Sequence, residues 1–290
     1  MATLSELLLD RAKTLSRHIE GAVRGDVRHV HQGRVTSRRL RESLPAAGRG
    51  GGQAGRRARS AFREITRALG PVRELDVALA HLDDGLASYR IPRIAVERVR
   101  AHVRAERERR REKMLARLER VDLDEATDRV ARVARGAESM TAFSAARLST
   151  RIRRRALALE AAIDRAGTLY HPERLHEVRI AAKKLRYALE VAAAIALTDA
   201  APAIRALKRV QARLGLMHDY QVLLEHVADV REATPKGTPG AAGLKAMAAA
   251  YEGECRTRHA GYLKLAPGLA ATARGLRELN LKAGDTGQHG

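Results

Sequence analysis

Tryptophan is absent from this chain of 290 residues, phenylalanine occurs only at Phe62 and Phe143, and aromatics make up 3% of the total. Proteins that grip single-stranded nucleic acid usually stack its bases on aromatic side chains, so that kind of platform is argued against from the start. Cysteine is nearly absent too. Cys255 stands alone, which excludes an intramolecular disulfide and points to a reducing compartment, and nothing around it supports a nucleophilic role. Long apolar runs are missing: the stretch from Val191 to Leu197, with its alanine-rich surroundings, is too short to span a bilayer. The opening residues Met1 to Lys13 include acidic side chains and lack the apolar core of a secretory leader, so a soluble, cytoplasmic protein is expected. Strand signals are scarce as well. Apolar residues instead recur at helical spacing, and the chain is expected to be all-α.

Acidic residues are in deficit, 34 Asp and Glu against 55 Lys and Arg, for a formal net charge of +21. Such an excess raises the local concentration of polyanions and makes their capture depend on salt. Nucleic acid, an anionic membrane surface and free polyphosphate are all admissible on charge alone. Arginine greatly outnumbers lysine, and its planar fork suits phosphate oxygens, although a GC-rich coding bias would enrich arginine by default.

The basic residues are patterned. His31, Arg34, Arg38, Arg39 and Arg41 follow the same spacing as His176, Arg179, Lys183, Lys184 and Arg186, 145 residues later. On a helix, positions i, i+3, i+7 and i+10 fall within a roughly 80° arc, so each set forms a cationic stripe. Like charges a turn apart repel mildly unless an anion lies between them. A single arginine-rich helix is usually one that wears its charges toward solvent, but two copies in register point to a receptor for something long and negative.

The repeat extends beyond the stripe. Leu4, Leu8, Leu15 and Ile19 share their spacing with Leu148, Ile152, Leu159 and Ile163, at an offset of 144. Leu69 to Val77 and Leu214 to Val222 lie 145 residues apart, as do His81 and His226. The order of these matches indicates duplication, with repeats over 1–145 and 146–290. Expected breaks are Gly21 to Asp26, Pro45 to Gly55, Gly70-Pro71, Ile91-Pro92, His171-Pro172, Gly215, and Thr234 to Gly243, giving about four helices in each half. Glycines 48, 50, 51, 52 and 55 lack the order of a phosphate-binding P-loop and suggest a connector. The mixed charges from Arg107 to Arg120 suggest a solvated helix face.

Arg63 and Lys208 are equivalent across the repeat, and so are Arg73 and His218. Glu74, Asp76 and Asp219 adjoin them and are expected to hold these cations in place rather than to touch an anion. Val178, Leu185 and Leu189 occupy the side opposite the second stripe. In the first, Leu40 is accompanied by Gly33 and Ser37, which suggests a closer approach to a neighbouring helix. The cations around His31 and His176 should lower their pKa and a bound phosphate should raise it, although either histidine could equally be structural.

The segments HQGRVTSRRLR at 31–41, LHEVRIAAKKLRYALE at 175–190, LGPVRELDV at 69–77 and LGLMHDYQVLL at 214–224 resemble the CHAD family of helical domains. The resemblance covers essentially the entire chain, 1–290, as one such domain. It implies two four-helix bundles related by a pseudo-twofold axis, with a central basic groove or pore that binds inorganic polyphosphate. It further implies a non-catalytic protein associated with polyphosphate granules, its groove lined by the two basic motifs. Glu74 departs from the family's usual aspartate but keeps the charge. No cofactor is called for and no metal ligands are assigned.

Two other readings stand beside this one. Non-specific nucleic-acid binding needs only the charge, but duplex recognition usually adds a reader helix or arm. A metal-dependent phosphohydrolase of the HD type could draw an H…HD…D set from His176, His218, Asp219 and Asp229. Against it, Arg73 and Glu74 stand where the first half would need His-Asp.

Overall fold

The computed structural model describes residues 3–47, 52–84, 91–137 and 141–279. Among them are nine α-helices and no strand: α1 (Leu4–Val23), α2 (Val27–Ser43), α3 (Gly52–Asp84), α4 (Arg93–Leu118), α5 (Leu123–Arg135), α6 (Thr141–Ala166), α7 (Pro172–Ala194), α8 (Ala201–Glu232) and α9 (Pro239–Arg277). A 3-10 turn, Leu44–Ala46, follows α2. Gly48, Gly50 and Gly51 of the expected connector lie outside the described residues, as does the side chain of Phe143.

Local chemistry sets most helix starts. Thr3 and Glu6 form a reciprocal capping box on α1, and Asp26 accepts from the His29 N–H at the start of α2. Asp122 caps α5 in the same way, and Thr238 caps α9 ahead of Pro239. Pro172 occupies the first turn of α7, where its missing donor costs nothing.

Two expected breaks are corrected. Gly70-Pro71 lies inside α3 and Gly215 inside α8, and both helices run on without interruption. An interior proline costs on the order of 3 kcal/mol. Burial of Ala68, Leu69, Val72 and Leu75 around Pro71 offsets that cost, because breaking α3 would expose them. Gly52 and Gly55 likewise belong to α3 rather than to the connector. A break not anticipated separates α4 from α5 at Asp122, so the described residues hold five helices before 141 and four after.

Helix α1 packs on α2 and α5, α2 on α3, and α3 on α4 and α5. Farther along, α6 packs on α7 and α9, α7 on α8, and α8 on α9. Contacts of α2 with α7, α3 with α8, and α4 with both α8 and α9 join these groups. The buried apolar residues do not divide at the repeat boundary. A large cluster includes Leu8, Leu15, Phe62 and Leu69 together with Leu148, Leu159, Leu185 and Leu214. A smaller one joins the distal parts of the long helices, with Leu75 and Leu82 of α3 and Val99 and Val103 of α4 meeting Leu223 and Val227 of α8 and Leu244 and Tyr251 of α9. The extra length of α3 and α8, each unbroken at its central glycine, lets them serve both clusters and carry the segments between them.

Candidate functional site

Where α2 and α3 face α7 and α8, a cavity of about 760 Å³ opens. Helix α2 contributes His31, Gln32, Arg34, Val35, Arg38 and Arg39, and α7 contributes His176, Arg179, Ile180, Lys183, Arg186 and Tyr187. Gly70, Arg73, Glu74 and Val77 come from α3, and His218 and Asp219 from α8. The amphipathic pattern explains the aim of these side chains. Val30 and Leu40 of α2, and Leu175, Val178, Ala182 and Leu185 of α7, are buried in the core, which turns the cationic stripes toward each other. Gly33 lets α2 approach α3: a Cβ there would stand 3.2 Å from Leu69 Cδ1, and nearby the Ser37 and Thr66 hydroxyls pair at 2.9 Å.

Gly70 and Gly215 have a specific use. A Cβ on Gly70 would lie 3.5 Å from Nε of Arg34, and one on Gly215 4.0 Å from Nε of Arg179. Each guanidinium is thus laid across a helix surface free of side chain, and any γ atom pointing that way would displace it. The offset of 145 between these glycines was a sequence signal for this role as well as for a break.

The cavity crowds positive charge. The Lys183 amine is lowered to about 6 by burial and then by Arg179, Arg38, Arg34 and Arg186. Arg34 is lowered to about 10 by burial and Arg38, so it stays charged near neutrality. Burial and then Arg38, opposed by Asp219 and Glu74, lower Arg179. His31 falls through burial, Arg73 and Arg34, and His176 through burial, His218, Arg179 and Lys183. Arginines from α2 and α7 depress one another, so the two stripes act as one field.

Carboxylates brace the rim. Glu74 of α3 lies 3.4 Å from Nε2 of His218 of α8 and is held below the usual carboxylate range by that hydrogen bond, with help from Arg34 and Arg179. Asp219 lies 3.5 Å from Nε2 of His81. Glu190 bridges the motif helices, at 2.7 Å from Arg186 and 3.6 Å from Arg39. The rings of His176 and His218 stand 5.0 Å apart and line both this cavity and a neighbouring one of about 640 Å³ that includes Tyr170, Glu173, Glu252 and Cys255.

Of the residues singled out from sequence, His31, Arg34, Arg38, Arg39, Arg73, His176, Arg179, Lys183, Arg186 and His218 line the cavity, with Glu74 and Asp219 beside them. Arg41, Arg63, Lys184, Lys208 and Asp76 do not line it. Arg41 lies among Glu42, Arg63 and Arg59, while Arg63, Lys184 and Lys208 are exposed. Asp76 is buried against Arg107, whose Nε donates to it at 2.7 Å, so it braces α4 and not a cavity cation. Arg107 thereby leaves the solvated face expected of its segment. Gln32, Tyr187 and Glu190 were not foreseen as parts of the site. The H…HD…D set does not assemble: His176, His218 and Asp219 line the basic cavity, whereas Asp229 stands beside His102 and His226.

Comparison with known proteins agrees with the motifs. A family model described as CHAD domain matches residues 6–228. No curated protein matches the sequence. The structure is similar to that of PptA from Streptomyces chartreusis, with a TM-score of 0.64 and 16% identity, covering 90% of this chain and 97% of that one. It is also similar to the CHAD domain from the plant Ricinus communis, with a TM-score of 0.61 and 20% identity, covering 96% and 92% of the two chains. At these identities the likeness is one of fold. Among the described residues, no helix is long and apolar enough to cross a membrane.

Proposed function

We propose that this chain, which belongs to the CHAD domain family, binds inorganic polyphosphate without catalysis in the cavity between α2, α3, α7 and α8. The observation that carries the reading is Lys183, a half-buried amine set among Arg34, Arg38, Arg179 and Arg186 and driven toward its neutral form. Such an assembly is electrostatically unfavourable alone and becomes favourable with a dense anion in its midst. A phosphate chain supplies several charges at the spacing of neighbouring side chains and needs no stacking surface, which suits a lining whose one large aromatic ring is Tyr187.

The repeats 1–145 and 146–290 then act as two halves of one domain, 1–290, related by a pseudo-twofold arrangement, and the cavity serves as a groove or pore for the chain. Arg41, which neighbours both Arg38 and Arg63, extends the basic track, and Lys184 and Lys208 add to the surface field. Residence at polyphosphate granules in the cytoplasm follows from the same reading.

Calorimetric titration with long-chain polyphosphate, run beside single-stranded and duplex DNA at matched phosphate concentration and near-physiological salt, tests it. Saturable binding to polyphosphate with weak DNA binding is expected, together with net proton uptake when the buffer's ionisation enthalpy is varied at pH 7. Equal affinity for all three polymers would overturn the assignment in favour of generic charge attraction.

A further inference from the structure

Away from the basic cavity, on the far part of α8, a second group of side chains converges. We infer that His102, His226 and Asp229 form a site for a divalent transition-metal ion of the zinc class, held between α4 and α8. One ligand atom from each residue lies within 4.8 Å of the others. His102 Nε2 is 3.6 Å from an Asp229 carboxylate oxygen, and the two imidazole rings are 5.4 Å apart.

The backbone that presents them is well supported. His226 and Asp229 are separated by three residues and so share a face of α8. Their neighbours Val227 and Val230 are buried with Val99 and Val103, which flank His102 on α4. The donors therefore sit at the edge of a packed core that sets the distance between the two helices. Bonds of about 2.0–2.2 Å in a tetrahedral site place donors about 3.3 Å apart, so a metal needs the side chains to close by up to about 1.5 Å, within the reach of rotamer changes.

The electrostatics point the same way. His226 Nδ1 is buried and has no hydrogen-bond partner among the described residues. A neutral imidazole is the form that binds a metal, and an unpaired ring nitrogen is free to do so. In a chain of net charge +21, this ring nevertheless sits in the field of Asp229, Glu225 and Glu106. Glu106 is tied to Arg109 and Arg110, at 2.7 and 2.5 Å, so it contributes to the field and not to the ligand set. Two imidazoles and one carboxylate suit zinc, nickel or copper. Magnesium and calcium prefer an all-oxygen set. Three protein ligands leave a fourth position for water.

The test uses tag-free, metal-stripped protein without polyphosphate, titrated with Zn²⁺ by calorimetry and with Co²⁺ by visible absorption. One saturable site is expected, with a rise in Tm on adding Zn²⁺. His102→Ala and Asp229→Asn should each weaken Zn²⁺ binding by more than the roughly 10–100-fold that loss of an outer supporting group costs, with helicity retained. His176→Ala, which alters the histidine pair at the basic cavity, should leave Zn²⁺ binding unchanged. Absence of saturable Zn²⁺ binding, or binding that survives in the folded His102→Ala/Asp229→Asn variant, would overturn the assignment.

Discussion

Helices α2 and α7 carry the same cationic stripe on different foundations. Behind His176, Arg179, Lys183 and Arg186, α7 packs with the full-sized side chains Leu175, Val178, Leu185 and Leu189. Behind His31, Arg34, Arg38 and Arg39, α2 keeps Val30 and Leu40 but sets Gly33, Thr36 and Ser37 between them, so over that stretch it closes on α3 through small side chains and a buried hydroxyl pair. The faces toward the cavity match while the faces toward the core differ. Any close-packed filling of suitable volume satisfies a core. A face that must present charges at fixed spacing to a rigid partner has far fewer solutions. Under the proposed function, matching of the cavity faces is what a shared ligand requires of both halves.

The strongest way to break this symmetry is to reverse one charge on each stripe. Arg38→Glu with Lys183→Glu should weaken polyphosphate binding at least about 100-fold, given that each charge-assisted contact contributes roughly 1.5–3 kcal/mol, with unchanged helicity by circular dichroism. Normal binding by the folded double variant would move the site elsewhere. On the core side the helices should differ. Leu185→Ala on α7 should cost about 2–5 kcal/mol in denaturant unfolding, whereas Ser37→Ala on α2 should cost only about 0.5–1.5 kcal/mol, because Thr66 retains its bond to the Phe62 carbonyl.

The two glycines sharpen the comparison further. Gly70→Leu should lower polyphosphate affinity about tenfold by displacing Arg34, and Gly215→Leu should act in the same direction but less, since Arg179 stands farther off. Equal affinities for wild type and both variants would show that the guanidiniums need no such bed.

The smallest expected effect concerns Lys183 in the ligand-free protein. Its amine sits at about 6 when folded against 10.5 when free, so between those values the unfolded chain holds a proton that the folded cavity does not. Stability should therefore fall as pH drops through that window and level off below it. Lys183→Met should remove this slope and raise stability near pH 7 by about 0.5–2 kcal/mol, while polyphosphate binding weakens. Thermal unfolding at several pH values reads both effects.

Periodicity made the helical class and the two cationic stripes legible, because apolar and basic residues at helical spacing specify which side of a helix is buried before any neighbour is known; the family was legible only through the resemblance of four motif segments. The breaks at Gly21 to Asp26, His171-Pro172 and Thr234 to Gly243 were legible because their causes are local: Asp26 and Thr238 bond within a few residues, and Pro172 fits the first turn of α7. Only the tertiary structure decided that Gly70-Pro71 and Gly215 sit within unbroken helices, since burial on both sides outweighs the local cost. It alone separated Arg73, which reaches the cavity, from Arg63 on the same helix, and paired Asp76 with Arg107. It also brought His102 to His226 and Asp229, a meeting that no spacing announces because its members lie on helices far apart in the chain. Facing and capping are local properties of a segment. Which faces meet depends on how long helices from both halves share a core.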